Sequence, residues 1–376
     1  MPLLRDLAMS QYVVTVEDPR MDRTKAHALI DIIIIALCAG ICGADGWVDV
    51  EACGKTKQDW LATFLTLPNG MPSHDTFGRV FVRIDPDQCQ HRFLQWVQAL
   101  RQVREDRIAI DGKTHRRSHD RPNGKTALHL VRAWAAENRM VRGHVAVDTT
   151  SNEMTALPML LDLLDVHGRT VTIDAIGGQP AIADQIVQRG GNYVLALKAN
   201  QPTMVADVQA LFADARVAQQ PEYGMTSATL TTAGHGRIET RTAFVISDPD
   251  AIAYLNADNR WRDLSRVALI EAERTVNGTT SIEQRYYLLN QVTAAATVND
   301  LIRGHWGIEN RLHWVLDVPF HEDASRIRTG DPPQNMAVIR HIALNLLRKE
   351  SSTGSIKTKR FRAALSEAYL ARVLGL

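Results

Sequence analysis

Arg107-Ile-Ala-Ile-Asp-Gly112 is a short apolar run that ends in an acid, and Thr170-Val-Thr-Ile-Asp174 repeats that arrangement further along the chain. Each is too short for a helix and rich in β-branched residues, so each reads as a buried strand with a carboxylate at its end. Between them, 126–136 and 139–148 read as two strands joined by a turn near Asn138, and 153–165 has helical spacing. Residues 179–189 read as a helix and 193–197 as a further strand. The order is strand, strand, strand, helix, strand, helix, strand. That predicts an α/β fold with a mixed sheet flanked by helices.

This is the element order of a ribonuclease H-like core, predicted here to begin at 104–199. Residues 1–103 read as a helical N-terminal domain without a clear helix-turn-helix pattern. After Asn200 and a helix near 203–213, the alternation stops. Strand-like pieces at 226–232, 237–246, 265–275 and 280–289 predict a β-rich insertion over 200–297. Helical spacing returns from Val298 through Leu316 and again over 335–348, giving a second part of the core at 298–350. A basic amphipathic helix closes the chain within 351–376.

The composition is ordinary for a globular protein, with 45% hydrophobic and 23% charged residues in 376. Ala28 to Ala44 is strongly apolar, but it is short for a membrane span and carries Asp31, so a buried helix is expected. Cys38, Cys42, Cys53 and Cys89 all fall early in the chain. That distribution suits a reducing, cytoplasmic setting and core packing better than a disulfide framework or a zinc site. The net charge of +1 hides local asymmetry. Arg101 to Arg142 holds eleven Lys/Arg against five Asp/Glu, and Leu346 onward holds seven against two. Basic stretches in a near-neutral chain suit a surface that meets phosphate, although a solvated charged face would read alike.

Asp111 and Asp174 end strands, the side of an α/β sheet where ligands bind. Glu309 lies in His305-Trp-Gly-Ile-Glu-Asn-Arg-Leu-His-Trp314, where His305, Glu309 and His313 recur every fourth residue and share one predicted helix face. Gly304 and Gly307, poor helix formers, suggest close packing there against a sheet or DNA backbone. Three carboxylates suit two Mg²⁺ ions, which prefer oxygen ligands, and Mn²⁺ is expected to substitute. Lys113, His115, Arg116 and Arg117 follow the first acid and are placed to hold phosphates. Asn200 and Gln201 either meet a phosphate or metal-bound water, or form the turn leaving their strand. Trp261 either stacks on an unpaired base or packs in the core.

Several motifs together resemble the ISAs, or H-repeat-associated, branch of the DDE insertion-sequence transposases. They are Asp18-Pro-Arg20, Leu67-Pro-Asn-Gly-Met-Pro-Ser-His-Asp-Thr-Phe77, Ile110-Asp-Gly-Lys113, Ser151-Asn-Glu153, Val171-Thr-Ile-Asp-Ala175, Leu197-Lys-Ala-Asn-Gln-Pro202, Gly234-His-Gly-Arg-Ile-Glu-Thr-Arg241, His305 through Val318, and Glu322-Asp-Ala-Ser-Arg326. The resemblance implies an Asp111, Asp174 and Glu309 triad holding two Mg²⁺ ions in a ribonuclease H-like domain. It implies a sequence-specific enzyme that binds double-stranded DNA at the terminal inverted repeats of its element. Such an enzyme exposes 3′ hydroxyls and joins them to target DNA, working as a homo-oligomer associated with the bacterial nucleoid and not with a membrane. Arg237, Arg311 and His313 join the expected DNA contacts. The wider group shows Tyr-x2-Arg-x3-Glu-x6-Lys around its glutamate. Here Ile302, His305 and Leu316 stand at the other positions, so His305 takes the place of the Arg as the expected phosphate contact. Arg132, where a small residue is expected, Thr150 in place of Lys, and Gly177-Gly178 also depart from the pattern. The alternative readings are a metal-dependent nuclease without strand transfer and an inactive copy that only binds DNA.

Overall fold

The computed structural model describes residues 12, 15–99, 107–119, 127–147, 153–217, 223–234, 237–276, 278–291, 293–325, 327 and 332–376. Its strands are β1 (Arg107–Thr114), β2 (His129–Ala135), β3 (Met140–Val147), β4 (Thr170–Ile173), β5 (Asn192–Leu197), β6 (Thr226–Gly234), β7 (Arg237–Ile246), β8 (Arg266–Val276) and β9 (Thr279–Leu289). They form one nine-stranded sheet in the order β3-β2-β1-β4-β5-β9-β8-β7-β6. The pairs β1–β4 and β4–β5 are parallel, and every other neighbouring pair is antiparallel.

One outcome of strand pairing differs from expectation. β1 does not stop at Asp111, because β2 continues to pair with it as far as Thr114 opposite His129. Only the parallel pairing to β4 ends there, at Ile110 opposite Ile173. The β-rich stretch supplies β6 to β9. β9 hydrogen-bonds to β5, so the four strands continue the same sheet.

Side chains alternate across a sheet, and that alternation sorts the core. Ile108, Ile110, Val171 and Ile173 face one side, where they pack with α5 (Glu153–Leu163), α6 (Pro180–Gln188) and α7 (Pro202–Val217). Ala109, Trp134 and Val141 face the other side. That side is covered by α1 (Leu29–Cys42), α2 (Trp47–Thr56), α3 (His74–Phe81), α4 (Pro86–Ala99) and the later α10 (Pro332–Lys349). A short α8 (Pro249–Leu255) sits between β7 and β8, with Asp248 capping it through the Ala251 amide at 2.8 Å. Trp261 is buried in the core, which settles its role as packing and not base stacking.

The apolar run is α1, and ten of its residues from Ile32 to Ile41 are buried. Asp31 is tolerated inside because its Oδ2 accepts from Thr66 Oγ1 at 2.8 Å and the Leu67 amide at 3.0 Å. No single helix among the described residues is long and apolar enough to cross a membrane. All four cysteines are free thiols. The expected C-terminal helix is two, α11 (Ile356–Leu365) and α12 (Glu367–Leu374), separated at Ser366, whose hydroxyl caps α12 through the Tyr369 amide. Much of the basic charge there is structural. Lys359 donates to the Leu347 carbonyl, and Arg360 donates to the Gly40 carbonyl while lying 4.1 Å over the Phe320 ring.

Candidate active site

The register that pairs Ile110 with Ile173 makes Asp111, within β1, and Asp174, just past the end of β4, the next residues on two adjacent parallel chain segments. Alternation sends both toward the face opposite Ile110 and Ile173. That face carries α9 (Ala295–His305), followed by a π-helical turn (Glu309–His313) and a last α-helical turn (Trp314–Asp317). The sequence predicts one continuous helix here, and the structure departs from it. The π turn breaks the four-residue repeat, so His305, Glu309 and His313 do not share one face. His305 and His313 are buried, whereas Glu309 is exposed. Close packing of Gly304 and Gly307 against the sheet is also absent. A methyl group at either would meet nothing nearer than 3.9 Å.

Asp111 is mostly buried. Its Oδ1 accepts from the Gly112 amide at 2.9 Å, and its Oδ2 lies 3.5 Å from His313 Nδ1. Burial, then the Asp174, Glu153 and Glu309 carboxylates, push it up to about 7, against only the Gly112 amide. Burial and Glu153 likewise raise Asp174, whose Oδ1 accepts from the Ile176 amide at 3.1 Å. Among the described residues, no lysine or arginine forms an ion pair with Asp111, Asp174 or Glu309. This is a crowded, poorly neutralised set of oxygen donors, which suits a hard divalent cation. The described residues nevertheless bring no three ligating side chains close enough to enclose an ion.

The loop after Asp174 is tightly made. A Cβ on Gly178 would fall 2.5 Å from the Ala196 carbonyl oxygen, and one on Gly177 would fall 2.4 Å from Ile173. Asn200 and Gln201 brace this loop. Asn200 Nδ2 donates to the Ala175 carbonyl at 2.6 Å, and Gln201 Nε2 donates to Gln179 Oε1 at 2.9 Å. Lys113 forms an ion pair with Asp317, tying β1 to the helical segment above it. His305 lies under β4 with Nδ1 3.0 Å from Thr172 Oγ1, and burial lowers it to about 4. His115 is buried too, its Nε2 accepting from Arg132 at 2.6 Å. Arg116, Arg117 and Arg311 are exposed. The Arg237 side chain and the distal basic loop 120–126 lie outside the described residues.

Three features were not assigned a role from the sequence. Glu153 begins α5 and reaches Asp111's neighbourhood. Its Oε1 lies 2.7 Å from His129 Nε2, and a Cβ on Gly112 would lie 2.3 Å from that same oxygen. Its only sequence signal is membership of the Ser151-Asn-Glu153 motif. The second feature is Arg132, the strand partner of Asp111, whose side chain is completely buried against Glu322 at 2.8 Å. The large residue where a small one is expected therefore forms a charge pair in the core. The third is Asp317 as the partner of Lys113.

Residues 103–346 match the transposase DDE domain family, and residues 10–97 match the DDE_Tnp_1-associated domain that accompanies it. The chain belongs to the DDE transposase family. Among its relatives, a protein named "H repeat-associated putative transposase YhhI" from Escherichia coli (strain K12) is 34% identical over 98% of this chain and 97% of its own length. "Putative transposase YncI" from Escherichia coli O157:H7 is 36% identical over 98% of this chain and 94% of its own. The piggyBac transposase, solved in a synaptic complex with hairpin DNA, aligns at TM-score 0.40 and 10% identity, covering 97% of this chain and 77% of that one.

Proposed function

We propose that this chain is a DDE transposase that cuts phosphodiesters at the ends of its own element and joins the 3′ hydroxyls to target DNA. The observation that carries this reading is the adjacency of Asp111 and Asp174 at the end of the β1–β4 pairing, beneath the segment bearing Glu309, in a chain of that family. The β3-β2-β1-β4-β5 portion of the sheet supports a ribonuclease H-like core at 104–199 and 298–350. Residues 200–297 are the insertion, 1–103 the helical DNA-binding domain and 351–376 the C-terminal segment.

Asp111, Asp174 and Glu309 would hold two Mg²⁺ ions, or Mn²⁺ in their place. Bound there, such ions activate the attacking oxygen and stabilise the leaving one. His313 limits how Asp111 turns, because its ring sits 3.5 Å from Oδ2. Asn200 and Gln201 hold the Asp174 loop by their hydrogen bonds. Lys113 fixes the helical segment through Asp317. Arg116, Arg117 and Arg311, all exposed, are the members of the expected phosphate-contact set best placed for DNA. His115, His305 and His313 act from within the fold. The partner is duplex DNA carrying the terminal inverted repeats, with two copies or more of the chain pairing two ends.

The test is to incubate purified protein and Mg²⁺ with linear DNA carrying the candidate repeats that flank the gene. The reading expects new 3′ ends mapped to the repeat boundary. Binding without any new ends would favour a DNA-binding relic, and cuts without joining would favour a nuclease.

A further inference from the structure

A polar cleft of about 490 Å³ lies on the face of β7, β8 and β9 nearest Glu309. Its floor follows from register. Glu239 pairs with Arg274, and Arg241 pairs with Ala272, which in turn pairs with Glu283. Alternation therefore sets Arg241, Arg274, Glu283 and Arg285 on one face. Its wall is α9 and the residues just after it, including Arg303, Trp306, Glu309 and Asn310.

The charges in the cleft are not all spent. Arg241 pairs with Glu239, and Arg285 pairs with Glu283 at 2.8 Å while lying 4.3 Å over the Trp306 ring. Those contacts neutralise and orient two of the four arginines. Arg274 and Arg303 are exposed and have no carboxylate partner among the described residues. Two unpaired guanidiniums thus share a concave polar surface with Glu309. A planar guanidinium donates to phosphate oxygens in pairs, which makes phosphodiester the ligand this surface suits.

We infer that this cleft seats the phosphodiester backbone of double-stranded DNA beside the reacting phosphate, with Arg274 and Arg303 each taking one phosphate. The inference rests on the transposase reading and extends it. β6 to β9 then have a purpose beyond widening the sheet, since they supply the floor of a DNA channel whose other wall carries Glu309.

The test measures binding of the full chain to a fluorescein-labelled duplex carrying the candidate inverted repeat, and to a scrambled duplex, across a salt series. Arg274→Ala/Arg303→Ala should weaken both roughly ten- to hundredfold near 0.1 M salt. It should also make the slope of log affinity against log salt shallower by about two, since each phosphate contact contributes about 0.9. Arg274→Lys/Arg303→Lys should keep the slope. Arg260→Ala, an exposed arginine on the β7–β8 connection paired with Asp258, should leave both quantities unchanged. A folded double-alanine variant with wild-type affinity and slope would overturn the inference and leave the transposase reading intact. An equal loss in Arg260→Ala would overturn it too, by reducing the effect to general charge. A wild-type protein that binds neither duplex would instead sink the transposase reading and this inference with it.

Discussion

Arg132 donates to Glu322 at 2.8 Å with both side chains completely buried, and Arg132 is also the strand partner of Asp111. One ion pair therefore joins the strand beside the first acid to the loop that follows the Glu309 segment. Burial favours the neutral acid at Glu322, but the Arg132 guanidinium, with Arg340 behind it, outweighs burial and holds the carboxyl well below its ordinary range.

Removing one partner strands the other in the core. Glu322→Ala should cost about 3–5 kcal/mol, as broken buried pairs do. Arg132→Met/Glu322→Leu should recover most of that loss, because two apolar groups leave no uncompensated charge. Urea unfolding of the three proteins checks this. Equal destabilisation in the single and double variants would show that packing, not charge, governs the position.

Acid should unfold the protein through its histidines. Burial lowers His115, His144 and His313 to about 3 and His305 to about 4, and holds His341 well below its ordinary value. These rings are neutral in the fold. Below about pH 6.5 the unfolded chain takes up protons that the folded chain refuses, so stability falls as pH drops toward 4. Each histidine adds at most about 1.4 kcal/mol per pH unit to that slope. Thermal unfolding between pH 7 and 5 reads it, and a flat profile would contradict the burial of these rings.

Asp111 works in the opposite direction. Its folded value of about 7 lies above the ordinary 3.8, so the fold holds a proton that the unfolded chain releases in between. Its contribution to stability falls as pH rises through that window. Asp111→Asn should raise the melting temperature at pH 8, by up to roughly 3–4 kcal/mol in stability, and have little effect near pH 3. Mg²⁺ should stabilise the wild type at pH 8 more than the variant. An Asn variant that melts lower at pH 8 would mean that Asp111 is not strained by its neighbours.

Gly178→Ala tests the loop behind Asp174. Its Cβ would meet the Ala196 carbonyl oxygen at 2.5 Å, and backbone does not yield as a side-chain tip does. A loss of about 1–3 kcal/mol is expected, as for other overpacked sites. DNA cleavage should fall further than that loss of folded protein explains. Cleavage that tracks only the folded fraction would remove the loop from the account.

The parts of this fold that sequence reading reached are those encoded locally. β1 and β4 are short apolar runs, and both acids directly follow the end of their parallel pairing. What it missed depends on distant partners. Nothing near Thr279–Leu289 announces that β9 pairs with β5, and nothing near Arg132 announces Glu322, 190 residues away. The π turn escaped for another reason. Its five-residue hydrogen bonding leaves no mark in a pattern read at 3.6 residues per turn, so that pattern aligns exposed Glu309 with the buried His305 and His313. Glu153 was visible as a motif member but without a role, because only the folded chain brings α5 against Gly112.

The central claim is that Asp111, Asp174 and Glu309 perform strand transfer. The direct measurement joins repeat-ended DNA to a supercoiled target plasmid in Mg²⁺, using wild type and the Asp111→Asn, Asp174→Asn and Glu309→Gln proteins, with repeat binding measured alongside. Joined products from wild type alone, with binding kept by all four proteins, are the predicted result. Joining that survives in any of the three variants would contradict the triad, and binding by all four with no joining from wild type would contradict the activity.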